Sequence, residues 1–148
     1  LSSSEFEGIS VDVVVGTNSP HDTEIKKQVA QRPHTMLYRY RPHLADLMAK
    51  ADIAVGAGGT TTWERLCLGL PTVVVGLADN QIAACQALAR DGLIEYLEMV
   101  QTVKIGQLRD AISSLAQCPS RLVEMSTQAK LQVDGLGTVR VAEILKTT

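Results

Sequence analysis

Short apolar runs alternate with helix-length segments five times in this sequence, and that alternation constrains the fold more than any other feature. The runs are rich in β-branched residues and apolar on both faces, as expected of parallel strands that helices cover on both sides. The pattern therefore predicts an α/β fold with a doubly wound, Rossmann-like parallel sheet of about five strands. The predicted strands are residues 11–15, 35–40, 53–55, 72–75 and 93–97.

Helical patterns fill the intervals between these strands and continue beyond the last of them. After residue 100, apolar side chains recur every three or four residues, which is the spacing of one helical face. The sequence therefore predicts a helical C-terminal tail. The predicted helices lie at residues 22–31, 44–48, 61–68 and 81–90, and in the tail at residues 105–115, 122–129 and 139–145.

Composition narrows the classes of function. The chain has 148 residues, 45% of them hydrophobic and 20% charged, so it can bury a core as a single domain and is not intrinsically disordered. A net charge of −2 provides no basic surface, and nucleic-acid binding is not expected. The longest uncharged stretch, residues 66–78, is too short to cross a bilayer, so no transmembrane segment is expected.

The cysteines and histidines argue against disulfides and metal ions. Three cysteines at wide spacing, without a C-x-x-C pair, indicate reduced thiols in a cytoplasmic protein, and no secretory signal is visible. Apolar neighbours favour buried, inert thiols over reactive ones. The three histidines lie on separate segments and lack metal-ligand spacing, so no metal or other cofactor is expected.

Three loops are predicted at the carboxyl edge of the sheet, where doubly wound folds bind their ligands. They span residues 17–21, 56–62 and 76–81. The second loop reads GAGGTTT and carries the strongest chemical signal, because adjacent glycines let backbone N–H groups approach an anion at the positive end of the following helix. A phosphate or diphosphate is one interpretation and a simple strand-to-helix turn is the other; the residues leave both open.

Two familiar phosphate-binding motifs do not fit this loop. A P-loop requires Lys after the glycines, and Thr60 stands there instead. The dinucleotide fingerprint G-x-G-x-x-G requires a final glycine where this sequence has Thr61. P-loop nucleotide hydrolysis and dinucleotide binding are therefore not expected.

Glu64 and Trp63, just after the loop, each have a structural and a functional interpretation. Thr61 and Glu64 have the S/T-x-x-E spacing of a capping box, in which the carboxylate would bind the Thr61 amide. The functional alternative is a carboxylate that accepts two hydrogen bonds from a ribose. The residues alone favour the cap, and they favour core packing over base stacking for Trp63.

Polar residues of the other two loops are similarly ambiguous. Asn80 is predicted to cap the helix that starts at Gln81, or alternatively to face a sugar. Asn18 and His21 could contact a base or sugar, but Asn-Ser-Pro is ordinary turn chemistry, and that interpretation is favoured.

Residues 51–71, followed by residues 78–81, resemble the UDP-sugar hydrolase family of pseudaminic acid biosynthesis. Residues 134–137 are similar to that family as well, and the region is more distantly similar to the N-acetylglucosaminyltransferases of peptidoglycan synthesis. The likeness covers nearly the whole chain and implies the carboxyl-terminal, nucleotide-binding half of a two-domain GT-B protein. It implies UDP contacts at the glycine-rich loop and sugar contacts one loop further on. Gly58, Gly59, Thr60 and Thr61 would bind the diphosphate, Glu64 the ribose, and Asn80 and Gln81 would face the sugar.

The chain departs from this family in two respects. The family's amino-terminal domain carries a catalytic His, and none of His21, His34 and His43 matches it, so the catalytic residue is unknown and expected in a missing domain. A strand that the family places between the first and third strands of this chain is also absent. We therefore expect a fragment, or a second chain that fills the gap.

Three functions follow as expectations. The first is the UDP-binding half of a hydrolase that releases UDP from a UDP-2,4-diacetamido-2,4,6-trideoxy-hexose, with the isolated domain binding UDP or the UDP-sugar but not turning it over. The second is the carboxyl-terminal domain of a GT-B glycosyltransferase that uses a UDP-sugar donor. The third is a non-catalytic nucleotide-binding module.

Overall fold

The structure, a computed structural model, describes residues 6–146. These residues form two compact units that divide between Leu47 and Met48. Each unit contains parallel strands joined through helices, which confirms the predicted α/β class.

The first unit is a strand–helix–strand element. β1 (Val11–Val15) is followed by α1 (Asp22–Gln31) and β2 (Thr35–Arg39), and a short helix, α2 (Ala45–Met48), lies at the division. β1 and β2 are parallel, with Val11 opposite Thr35 and Val15 opposite Arg39. β2 ends one residue earlier than predicted, because Tyr40 has a φ of 45°, which no strand accommodates.

The second unit contains a three-stranded parallel sheet in the order β3-β4-β5 and the remaining helices. Helices α3 and α4 make the crossovers between the strands, and the helical C-terminal region follows, as predicted. The elements are β3 (Ala54–Ala57), α3 (Thr61–Cys67), β4 (Thr72–Gly76), a 3-10 turn (Asp79–Gln81), α4 (Ile82–Arg90), β5 (Glu95–Met99), α5 (Ile105–Ala116), α6 (Pro119–Gln132) and α7 (Gly137–Lys146).

The bounds of β3, β4 and β5 also differ from the predicted ranges, by one or two residues at each changed end. β3 continues through Gly56 and Ala57, which were expected in the loop, because its ladder with β4 extends to the pair Ala57–Val75. β5 begins at Glu95, not at Leu93, because the first pair of its ladder joins Glu95 to Val73. Leu93 is apolar because it is buried in the core, not because it belongs to a strand.

The core of the second unit holds α3 in place. Its buried cluster joins side chains of α3, α4, α6 and β4 with the segment that leads into β5. Because α3 contributes to this cluster, the loop that precedes α3 is fixed at both of its ends. The cluster consists of Leu66, Val74, Cys85, Leu88, Leu93, Ile94 and Ala129.

The described strands form two parallel sheets, β1-β2 in the first unit and β3-β4-β5 in the second. Among residues 6–146 no helix is long and apolar enough to cross a membrane.

The loop before α7 is organised by a carboxylate whose titration can be followed. Asp134 accepts hydrogen bonds from Arg140 Nη1 at 2.7 Å and from the Leu136 amide at 3.0 Å. These donors, Arg140 foremost, lower the pKa of Asp134 to about 2. The folded chain therefore gains stability from this group above the ordinary aspartate pKa and loses it as the pH falls through about 2.

We expect the Asp134 carboxyl carbon to titrate near pH 2 in an NMR experiment. Arg140→Met should return its pKa toward the ordinary value, because the strongest donor to the carboxylate is then removed. Titration of Asp134 at the ordinary aspartate pKa in the unsubstituted chain would contradict this description.

Candidate functional site

The glycine-rich loop between β3 and α3 presents a run of backbone amides without protein acceptors. The Thr62 and Trp63 amides donate to the carbonyls of Gly59 and Thr60, both at 3.0 Å. The preceding amides, at residues 58–61, donate to no backbone or side-chain group in the described part of the chain. The residues that carry them are half-buried or exposed, so these N–H groups are available to an anion.

Glycine is required at position 58 because the loop packs tightly against α4. A Cβ atom at Gly58 would lie 2.3 Å from Cys85 Sγ, far inside van der Waals contact, and 3.4 Å from Gln81 Cβ. At Gly59 the nearest atom would be Gln81 Nε2, at 3.8 Å, so that position has more room. The turn therefore packs closely against α4 and also presents amides without protein acceptors in the described part of the chain.

The loops that follow β3 and β4 meet, as predicted for neighbouring parallel strands. Gln81 links them: its Oε1 accepts a hydrogen bond of 2.9 Å from the Leu77 amide, and its side chain lies next to Gly58 and Gly59. Asn80 is exposed within the 3-10 turn. The predicted N-cap role of Asn80 is wrong, because the turn moves the start of α4 to Ile82 and leaves Gln81 at its N-cap.

The capping box predicted for Thr61 and Glu64 does not form. α3 begins at Thr61, so its N-cap is Thr60, and Glu64 is the fourth residue of the helix instead of the third. Thr60 also has helical backbone angles and makes no side-chain cap, whereas a capping residue needs an extended backbone. The Glu64 side chain is exposed on the first turn of the helix, where it remains available to a ligand.

Trp63 is not a core residue, contrary to the prediction. It is 49% exposed, because the buried face of α3 is formed by Thr62, Arg65 and Leu66. Trp63 and Glu64 are thus both on the exposed side of the first turn of α3.

Arg65 is a central residue of the site that the sequence analysis did not identify. It is 6% exposed, and its Nη2 donates to the Ala57 carbonyl at 2.8 Å and to Thr62 Oγ1 at 3.0 Å. Thr62 Oγ1 in turn donates to the same carbonyl at 3.0 Å. Burial lowers the pKa of Arg65, while nearby Glu64 and Cys85 oppose that shift. In the sequence, only the spacing of Thr62 and Arg65 points to their hydrogen bond, and an Arg three residues after a Thr is too common a pattern to predict it.

Cys85, on α4, packs against the glycine-rich loop at Gly58. Its side chain is buried, and burial raises the pKa of the thiol, with Arg65 acting in the opposite direction. A raised pKa keeps the thiol protonated at neutral pH. Cys85 is therefore a buried thiol, whereas Cys67, whose neighbours Leu66 and Leu68 predicted burial, is only half-buried.

Asn18 and His21 lie in the first unit, between β1 and α1. The Ser19 amide donates to the Gly16 carbonyl at 3.2 Å, and the His21 amide donates to Ser19 Oγ at 3.4 Å. These bonds are the turn chemistry that the sequence favoured.

Within residues 6–146, no group of three or more His, Cys, Asp or Glu side chains is placed to hold a metal ion.

The parallel α/β architecture and the exposed amides after β3 define a Rossmann-like domain of the GT-B carboxyl-terminal type. The chain belongs to the glycosyltransferase family 28 C-terminal domain family, which it matches over residues 3–140. The fold is that of MurG from Acinetobacter baumannii, whose crystal structure superposes with a TM-score of 0.77 at 17% identity over 97% of this chain and 44% of that chain. A glycotransferase of kitacinnamycin superposes with a TM-score of 0.64 at 22% identity, over 93% of this chain and 43% of the other.

Among curated proteins the chain is similar to the spore coat polysaccharide biosynthesis protein SpsG of Bacillus subtilis strain 168. The two are 27% identical over 133 residues, which is 90% of this chain and 39% of SpsG. The chain thus spans about two-fifths of the length of that relative. The family and these relatives support the expected superfamily, and they favour the glycosyltransferase alternative over the UDP-sugar hydrolase that the sequence placed first.

Proposed function

We propose that this chain is the donor-binding domain of a GT-B glycosyltransferase and that the loop at residues 58–61 holds the diphosphate of a UDP-sugar. The observation that carries the proposal is the run of consecutive amides without protein acceptors on a half-buried, glycine-containing loop. Such convergent N–H groups bind anions, and here they lie at the carboxyl end of a parallel strand, where ligands of this fold class bind.

The same amides would assist sugar transfer. Negative charge develops on the diphosphate as the bond to the sugar breaks, and fixed N–H donors stabilise that charge without having to reorganise. Gly58, Gly59, Thr60 and Thr61 supply these donors, and the Thr60 and Thr61 hydroxyls add two more hydrogen-bonding groups.

Glu64, Asn80 and Gln81 are proposed to contact the nucleoside and sugar. The Glu64 carboxylate is exposed beside the loop and can accept two hydrogen bonds from a ribose diol. Gln81 uses Oε1 to bind the Leu77 amide, so its Nε2 group, on the side of Gly59, is the part left to donate to a ligand. Asn80 is exposed on the same loop.

The rest of the reaction is proposed to depend on a second domain. In this proposal an amino-terminal domain supplies the acceptor and the catalytic base, and the UDP-sugar binds between the two domains. The support is that the chain corresponds to 39% of SpsG and 44% of the MurG chain. The three cysteines are free, which supports a reducing, cytoplasmic location, where reduced cysteines persist.

Isothermal titration of the chain with UDP and with uridine tests the proposal. We expect measurable binding of UDP and much weaker binding of uridine, because the loop amides contact only the diphosphate. A folded chain that gives no heat at millimolar UDP would overturn the proposal. Product analysis of the protein together with its amino-terminal domain, with a UDP-sugar and with or without acceptor, then separates transfer from hydrolysis.

Glu64→Gln should lower the affinity for UDP by about tenfold, because two charge-assisted hydrogen bonds to the ribose are weakened. Stability should change by less than about 0.5 kcal/mol, since Glu64 is exposed and caps no helix. The measurement is a titration with UDP and with 2′,3′-dideoxy-UDP, accompanied by thermal melts.

The matched control is Glu124→Gln, at an exposed position on α6. It should leave UDP binding unchanged. If Glu64→Gln weakened binding of UDP and of the dideoxy analogue equally, Glu64 would not be the ribose ligand.

A further inference from the structure

Arg65 is a buried cation that forms no ion pair with the described residues. It is 6% exposed, and no carboxylate lies within ion-pair distance of it among residues 6–146. Its Nε atom is buried and has no hydrogen-bond partner in the same part of the chain. Buried charges in proteins are ordinarily paired, because removing an ion from water is costly. Arg65 bonds to Ala57, the residue just before the loop at 58–61, so a negatively charged ligand on that loop could compensate its charge.

The sequence makes room for this guanidinium at a neighbouring strand position. A Cβ atom at Gly56 would lie 2.4 Å from Arg65 Nη1, so any larger residue there would displace the guanidinium. Glycine weakens a strand, and in strands it often marks the close approach of another group. Here the approaching group is the Arg65 side chain, which also donates to the Ala57 carbonyl.

The hydrogen bonds of Arg65 fix the direction of a loop amide. Nη2 of Arg65 and Oγ1 of Thr62 both donate to the Ala57 carbonyl, at 2.8 and 3.0 Å. In a planar trans peptide the C=O and the following N–H point in opposite directions. Holding the Ala57 carbonyl toward Arg65 therefore turns the Gly58 N–H away from Arg65, toward the open side of the loop.

The amide at the start of α3 is also unpaired. Thr61 is the first residue of this helix, and the first N–H groups of a helix have no acceptor within it. The Thr61 amide donates to no described group.

From this geometry we infer that Arg65 is a positioning residue for the nucleoside diphosphate: it keeps the Gly58 amide directed at the ligand and places a buried positive charge next to the loop. The inference rests on the proposed function and deepens it. A bound diphosphate would add to the negative charge that Glu64 already places near Arg65, and the low dielectric around Arg65 strengthens that attraction.

The test compares Arg65→Met, which keeps most of the volume and removes the charge, with Arg65→Lys, which retains a charge. Affinities for UDP, UMP and uridine are measured by titration, with melting curves for each variant. We expect Arg65→Met to weaken UDP binding by about 10- to 100-fold and to reduce the preference for UDP over UMP, while uridine binding is unchanged. Arg65→Lys should recover part of the loss.

Two results would overturn the inference while leaving the proposed function intact. One is a folded Arg65→Met variant that binds UDP as tightly as the unsubstituted chain. The other is an equal loss for UDP and uridine, which would indicate a purely structural role. If the unsubstituted chain itself does not bind UDP, the proposed function fails first, and this inference fails with it.

A milder pair of variants decides the matter if Arg65→Met does not fold. Thr62→Val removes the hydroxyl that bonds Arg65 and Ala57, and Thr62→Ser keeps it. Thr62→Val should weaken UDP binding more than uridine binding, and Thr62→Ser should restore it. Unchanged UDP affinity in a folded Thr62→Val variant would count against the positioning role.

Discussion

Replacing Gly58 with alanine should destabilise the chain by about 1–3 kcal/mol and abolish measurable binding of UDP. The added methyl carbon would lie 2.3 Å from Cys85 Sγ, so either the loop or α4 has to move. Both components are well packed: Cys85 belongs to the buried cluster, and the loop is joined directly to α3. Movement of the loop would misdirect the amides that we propose bind the diphosphate. Thermal melts and UDP titration measure the two effects.

Two controls isolate the cause. Gly106→Ala places a methyl group where no atom lies within 4 Å, on α5, and should leave UDP binding unchanged while raising stability by up to about 1 kcal/mol. The double variant G58A/C85A removes the clashing sulfur, so its stability should exceed that of Gly58→Ala alone. A Gly58→Ala variant that melts and binds UDP like the unsubstituted chain would show that the close packing at Gly58 is incorrect.

Leu66→Ala should cost about 2–5 kcal/mol, the largest loss of stability that we expect from a single substitution in α3. Leu66 is 0% exposed and lies in the cluster that joins α3 to α4, α6 and β4. Truncating it leaves a cavity that these elements cannot close without losing their other contacts. Denaturant unfolding measures the loss.

Leu68→Ala provides the matched comparison, because Leu68 is two residues away and 36% exposed. It should cost less than about 1 kcal/mol. Equal losses for the two leucines would mean that the buried face of α3 is assigned incorrectly. If Leu66→Ala remains folded at low temperature, its UDP affinity should also fall, since α3 fixes one end of the amide loop.

Patterning along the chain was sufficient to predict most of the fold. The run at 11–15 became β1 and the segment Asp22–Gln31 became α1 with the same bounds, because the first is rich in valine and followed by Gly16, and the second is helix-compatible and stopped by Pro33. The fifth strand was misplaced by two residues. Leu93 and Ile94 are as apolar as a strand, but they point into the helical core, and only the ladder with β4 shows where pairing begins.

The site was predictable where it depends on local backbone chemistry and not where it depends on side chains meeting in space. Adjacent glycines after a strand were enough to predict exposed amides at Gly58. The capping box predicted for Glu64 was wrong because α3 begins at Thr61, so the N-cap is Thr60 and Glu64 lies one position too far along the helix to complete the box. Arg65 was missed because nothing local shows that its side chain reaches back to Ala57.

In the proposed two-domain arrangement, the choice between hydrolysis and transfer belongs to residues of the other domain. Either reaction would use a loop that binds the leaving diphosphate, and the two differ in whether water or an acceptor sugar attacks the donor. The resemblance in the glycine-rich segment identified the superfamily, and the family that residues 3–140 match supports the glycosyltransferase alternative better than the hydrolase.

The most direct measurement is a titration of the isotopically labelled chain with UDP, followed by the backbone amide signals in two-dimensional NMR. We predict that the Gly58, Gly59, Thr60 and Thr61 amides shift most, and that uridine at the same concentration leaves them in place. A folded chain whose largest shifts with UDP fall elsewhere, with these amides unchanged, would contradict diphosphate binding at this loop.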